Sequence, residues 1–168
     1  MVVPSRAKTD AAAIVVLDSE GERVLAKYYQ PPHLPSATQP TLQSQYITTP
    51  QPNPYPTVKE QKTFEKGLFE KTKKDSSDVI LYDNRLVVYK QAGDTTLYVI
   101  GGAEENEIML YLVVVALRDC LDVILKYRTL HLPFVYLLTF ASRSVDKRSI
   151  LENYDLVALC IDEICDDG

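Results

Sequence analysis

RLVVYKQAGDTTLYVIGGAEENEIML, residues 85–110, decides how this chain folds. Residues 85–91 and 95–101 are two runs rich in valine, leucine, isoleucine and tyrosine. Side chains of that kind fit a pleated, half-buried surface. Ala92-Gly93-Asp94 lies between them and supplies the residues of a hairpin-type turn. From Glu104 the pattern changes. Acidic residues fill a first turn, a long apolar run follows, and Lys126 stands at its end, the charge order that complements a helix macrodipole. The stretch therefore predicts strand, turn, strand and a long helix. The helix's middle, IMLYLVVVAL (108–117), is apolar all round, which predicts a central helix buried on every side. A charge placed at Leu112 is then expected to unfold the domain.

Upstream, DVILY (78–82) predicts a third strand, joined to Arg85 by the turn Asp83-Asn84. Before it, TVKEQKTFEKGLFEKTKK (57–74) opens with Thr57 as helix N-cap and Glu60 three residues on, a capping box. Val58, Gln61, Phe64 and Leu68 fall on one face of this helix, and lysines and glutamates fill the other. Nearer the N-terminus, AAAIVVLD (11–18) and RVLAKYY (23–29) flank the turn SEGE, in which Gly21 is free to take positive φ. A last helical region covers about 146–165, with Leu156, Leu159, Cys160 and Ile164 as its apolar stripe. The order is ββ-α-βββ-α-α, an α+β arrangement.

Two segments stand apart from this pattern. Residues 30–56 hold eight of the ten prolines and no Asp, Glu, Lys or Arg, which predicts an irregular or disordered insertion. Trimming it to a short Gly-Ser turn is expected to leave folding intact, with the thermal midpoint moving by less than about ten degrees. Residues 127–143, YRTLHLPFVYLLTFASR, are apolar at their centre but shorter than the roughly 20 residues that span a bilayer. Residues 1–168 are otherwise expected to form a single domain, since 46% hydrophobic and 24% charged residues suffice for one core.

Chemistry is sparse. The two histidines, His33 and His131, fall inside the two odd segments, so no Ser/His or Cys/His device can be assembled. GGAEEN (101–106) carries neither phosphate-loop pattern, and its glutamates would repel a phosphate. Cys120, Cys160 and Cys165 cannot close into a full disulfide set and lack CxxC spacing, which fits a reducing compartment. Cys160 and Cys165 are expected as core or half-buried thiols. Asp162, Glu163, Asp166 and Asp167 form an acidic end without Ca²⁺-loop spacing. Eighteen basic against twenty-three acidic residues, a net charge of −5, argue against a nucleic-acid binder. Lysines 59, 62, 66, 71, 73 and 74 against glutamates 60, 65 and 70 make the first helix locally basic. That face could meet anionic lipid or an acidic groove, or be simply solvated.

The blocks AIVVLDSEGERVLAKYY (13–29), TVKEQKTFEKGLFEKT (57–72), RLVVYKQAGDTTLYVIGGAEENEIML (85–110) and ILENYDLVALCIDEI (150–164) resemble, in order, the coatomer zeta family. These are the small chains of the COPI vesicle coat, related to the small (sigma) chains of clathrin adaptors. The resemblance implies a longin-like (SNARE-like) fold: a five-stranded antiparallel sheet in the order 2-1-5-4-3, one helix on one face and two on the other. It implies a non-enzymatic subunit with no catalytic, cofactor-binding or metal residues. It also implies a large gamma subunit as direct partner within the remaining coatomer subunits, and recruitment to Golgi membranes by an Arf-family GTPase. The transport steps implied are Golgi-to-ER retrieval and intra-Golgi traffic, from the cytoplasm. Tyr89 and Tyr98, near the second hairpin, are candidate contact residues for that partner, or else simply pack the sheet. Another longin-domain trafficking protein, such as a clathrin-adaptor small chain or a SNARE-type regulator, is the alternative. Against the family pattern, 30–56 and 127–143 are additions. The C-terminal tail expected beyond Gly168 is missing.

Overall fold

The computed structural model describes residues 11–29, 55–74, 77–127 and 145–165. Five strands, β1 (Ala11–Asp18), β2 (Arg23–Tyr28), β3 (Val79–Tyr82), β4 (Arg85–Ala92) and β5 (Thr95–Gly102), form one antiparallel sheet in the order β2-β1-β5-β4-β3. Four helices accompany it: α1 (Val58–Thr72), α2 (Glu107–Tyr127), α3 (Lys147–Glu152) and α4 (Tyr154–Ile164). The central strands β1 and β5 are buried on both faces, which is why they read as nearly unbroken apolar runs rather than alternating ones. The turns use the expected residues. Asp83 and Asn84 both take positive φ (50° and 56°) in a two-residue hairpin, and Gly21 reaches +83°.

Alternation along the strands divides the core in two. Ile14, Val16, Val88, Leu97 and Val99 face α2 and α4, while Val15, Leu17, Val87, Tyr98 and Ile100 face α1. The capping box at Thr57 is formed as expected: Thr57 Oγ1 accepts from the Glu60 backbone N–H, and Glu60 Oε2 accepts from that of Thr57.

The inner face of α1 differs from the sequence expectation. Phe64 and Leu68 are buried, but Val58 is exposed, and Glu65 turns inward instead of joining the polar face. Its carboxylate accepts from Arg23 Nε (2.8 Å) and from the Tyr28 hydroxyl (2.8 Å), with Arg23 Nη2 at 2.7 Å from its second oxygen. A carboxylate can be buried when a guanidinium and a phenol occupy its lone pairs, and periodicity on α1 alone does not reveal those partners.

Helix α2 is not buried all round. Leu110, Val114, Leu117 and Leu121 lie against the sheet with no exposure, whereas Ile108, Leu112 and Val123 are more than half exposed. A single helix layered on a sheet offers the sheet only one stripe, and α4 covers only part of the remainder. Helix α4 buries Val157, Cys160 and Ile161, leaving Leu156 and Leu159 of the expected stripe outside.

The last helical region is broken at Asn153, which lies at φ −123°, ψ 29° and donates from Nδ2 to the Ser149 carbonyl. That side chain satisfies a carbonyl at the C-terminus of α3 and turns the chain into α4.

Most of the two odd segments, 30–54 and 128–143, lies outside the described residues. Tyr55, inside the Pro-rich stretch, belongs to the fold, however. Its ring is 4.4 Å from that of Phe64, its carbonyl accepts from Gln61 Nε2, and its hydroxyl meets Asp83. Composition hides this because one aromatic anchor does not change the polarity of a segment.

Two outcomes follow from these positions. Leu117→Ala is expected to cost about 3 kcal/mol in urea unfolding, whereas Leu112→Asp keeps the protein folded within about 1 kcal/mol. Tyr55→Ala is expected to cost about 2 kcal/mol, so a loop deletion that reaches Tyr55 should lower the thermal midpoint more than one ending at Asn53.

Candidate interaction surface

The α3–α4 unit is held against the sheet by charges at the two hairpin turns on that end. Lys147 Nζ donates to Asp18 Oδ2 (2.7 Å), and its backbone N–H donates to Asp94 Oδ1 (2.8 Å). Asp146 caps α3 by accepting from the Ser149 N–H (2.8 Å). Asp18 Oδ1 accepts from the backbone N–H groups of Glu20 and Glu22. Burial acts to raise the Asp18 pKa, but the bond from Lys147 and the two backbone bonds together outweigh it, so its carboxyl lies below the ordinary 3.8. Lys27 of β2 pairs with Asp162 of α4, so the acidic end of the chain is partly engaged rather than wholly solvated. Asp166 and Asp167 lie outside the described residues.

Cys120 of α2 and Cys160 of α4 face each other with Cα atoms 7.0 Å apart, wider than the usual span of a disulfide, and Cys165 is a buried free thiol. The two residues are 40 apart in sequence, and only the packing of α4 beside α2 makes them neighbours.

Neither Tyr89 nor Tyr98 is available as a contact residue. Both are buried, their rings stack at 5.6 Å, and the Tyr98 hydroxyl bonds Thr72 of α1. Their side chains point to the sheet face that α1 covers, and an unaided strand pattern does not say which face is covered. The exposed apolar surface lies elsewhere. Of nine large hydrophobic side chains left exposed among the described residues, seven are on α2, α3 and α4. On α2, Ile108, Leu112 and Val123 share one outward stripe at helical spacing, with Ala116 between them. On α4, Leu156 and Leu159 project outward beside it, with Leu151 and Tyr154 at the α3–α4 junction. The rim is acidic: Glu107, Asp119, Asp155 and Glu163 are all exposed.

This face can bury apolar area against a partner. Among the described residues no three His, Cys, Asp or Glu are placed to hold a metal ion, and no helix is long and apolar enough to cross a membrane. His33 and His131 lie outside the described residues. Gly101 and Gly102 end β5, and a side chain at Gly101 would strike Leu110 and Glu105, so this turn is filled from within rather than open to a phosphate. Asn106 Oδ1 accepts the Ile108 N–H at the start of α2 (2.9 Å). The outward stripe of α2 could have been found by noticing that its apolar residues exceed what one sheet-facing stripe uses.

Residues 11–132 match the family model of the clathrin adaptor complex small chain. The chain is 38% identical over 156 residues to coatomer subunit zeta of Saccharomyces cerevisiae, covering 93% of this chain and 68% of the yeast protein. It is 36% identical to human coatomer subunit zeta-1, covering 93% and 67%. Against coatomer subunit zeta-1 of rice it is 35% identical over 159 residues, covering 92% and 68%.

The Asp18 anchor yields a pH signature. A carboxyl with a lowered folded-state pKa stabilises the fold above its unfolded value, and that contribution is lost as pH falls through the folded value. Asp18→Asn is therefore expected to lower the thermal midpoint at about pH 7, with the gap to the parent narrowing as pH falls below the ordinary carboxylate range. A gap that persists unchanged in acid would remove the charge from the account.

Proposed function

Because the chain belongs to the clathrin adaptor complex small chain family and, within it, to the coatomer zeta chains, we propose that it is the small subunit of a COPI-type vesicle coat. In this reading it is not an enzyme. It packs against the large gamma subunit, joins the other coatomer subunits, and reaches the cytosolic face of Golgi membranes through an Arf-family GTPase. The transport steps are Golgi-to-ER retrieval and traffic within the Golgi.

One observation carries the reading. Seven exposed large hydrophobics on α2–α4 form an apolar face with an acidic rim. Contiguous apolar surface of this kind on a small domain marks a protein interface. A subunit role gives it an occupant. A solenoid of paired helices presents long, flat surfaces, and a stable contact of about 800 Å² per partner needs a central apolar cluster with a polar rim. Helices α2 and α4 supply the cluster, and the carboxylates supply the rim. Burying the cluster would remove the exposed apolar load of the free chain.

Co-expression with the gamma subunit tests this. Stoichiometric capture is the expected result, and a chain that purifies alone beside abundant gamma would defeat the proposal. Leu112→Asp combined with Leu159→Asp is expected to weaken capture at least tenfold, the cost of about two exposed interface anchors. Its thermal midpoint should stay near the parent's.

A further inference from the structure

On the opposite face of the sheet α1 carries a second surface, of the contrary charge. Lys59, Lys62 and Lys66 are exposed and fall on one outward stripe, at i, i+3 and i+7. Lys73 extends the stripe one turn beyond Glu70. None of Lys59, Lys62 and Lys66 makes an ion pair with any described residue. The glutamates that would balance them are used elsewhere: Glu65 is buried against Arg23 and Tyr28, and Glu60 closes the capping box. Only Glu70 remains outward on the same stripe.

The arrangement works against the helix itself. Lys59–Lys62 and Lys62–Lys66 are like charges at i,i+3 and i,i+4, where oppositely charged pairs would stabilise. A surface that merely needs solvation gains nothing from this. Val58, which is exposed, borders the three lysines with Thr63 and Gly67 on the open outer surface of the helix. Across the sheet, α2–α4 expose the carboxylates Glu107, Asp119, Glu152, Asp155 and Glu163, so the two helix-covered faces differ in local charge although the chain as a whole carries −5.

We propose that the outward face of α1 is a contact surface for anionic phospholipid headgroups, with Lys59, Lys62 and Lys66 as its cationic contacts and Val58 as its apolar foot. A convex helix face with lysines on flexible stems suits a laterally mobile plane of phosphates, which can rearrange beneath it. A folded acidic protein would need a complementary concave groove. Three or four lysines give weak binding to one copy, which becomes significant when many copies are held on one membrane. The contact would orient the chain with α1 toward the bilayer and α2–α4 away from it. The inference does not depend on which large subunit occupies α2–α4, since vesicle binding is read on the chain itself.

The full 168-residue chain is sedimented with pure phosphatidylcholine vesicles and with vesicles containing about one-third phosphatidylserine, at low and at physiological salt. Binding is expected only to the anionic vesicles, and is expected to weaken as salt rises. Lys59→Gln, Lys62→Gln and Lys66→Gln together should lower the partition coefficient about tenfold or more. The corresponding triple Lys→Arg variant should retain it, since charge rather than ammonium geometry is used. Arg118→Gln with Arg148→Gln, on the other face, should leave it unchanged. Absence of binding to anionic vesicles, or binding that survives the triple Gln change, overturns the proposal. So does lysine-dependent binding to a polyglutamate peptide with none to vesicles, which would assign the face to an acidic protein partner.

Discussion

The antiparallel pairing of β1 with β5 is the constraint on which the rest of the structure depends. It joins the N-terminal hairpin to the β3–β4–β5 meander, with Ile14 opposite Val99 and Val16 opposite Leu97. Both strands are then central, so both of their faces must be covered. One face takes α1, the other α2 and α4, and each helix enters the fold already committed to a side. The cost is topological. The pairing closes a loop that contains α1 and three further strands, so contacts distant in sequence must form before the two cores can be completed.

That constraint explains what could be read in advance. Hairpins are local, and their turn residues announce themselves: Asp83-Asn84 and Gly21 take the positive φ their sequence suggests. The Thr57–Glu60 capping box is equally local. The strand order came from the resemblance to a family and not from any strand's own composition, because β1 and β5 are apolar on both sides and carry no register signal. Sidedness was the part that remained hidden. Tyr98 and Tyr89 look like surface aromatics until α1 is placed over them, and Glu65 looks like a solvated residue until Arg23 and Tyr28 meet it. Leu112 looks buried because ten apolar residues in a row contain no polar face to mark the outside. In each case the deciding partner lies on another element, beyond the reach of a periodicity.

The misreading of α2 is informative in itself. An amphipathic helix needs one apolar stripe to bind a sheet, and α2 has a second. A monomeric protein gains nothing from leaving Ile108, Leu112 and Val123 in water, and exposes itself to aggregation by doing so. An all-apolar run therefore does not mean burial on every side here: Ile108, Leu112 and Val123 stay more than half exposed, surface that the proposed subunit contact would cover. An acidic rim around that stripe favours a partner with basic flanks.

Charge on the two sheet faces then follows a single logic. Carboxylates rim the apolar face of α2–α4, while α1 keeps its lysines outward because Glu60 caps the helix and Glu65 pairs internally. If Glu65 were outward, it would lie beside Lys62 and Lys66 and cancel much of their field. Its burial therefore has two effects at once: it locks β2 to α1 through Arg23, and it leaves Glu70 as the carboxylate facing outward on the lysine stripe of α1. A domain of this size has only two broad faces beyond its edges. Giving one of them apolar character with negative charge and the other positive charge separates two kinds of partner with a single sheet, and neither contact obstructs the other.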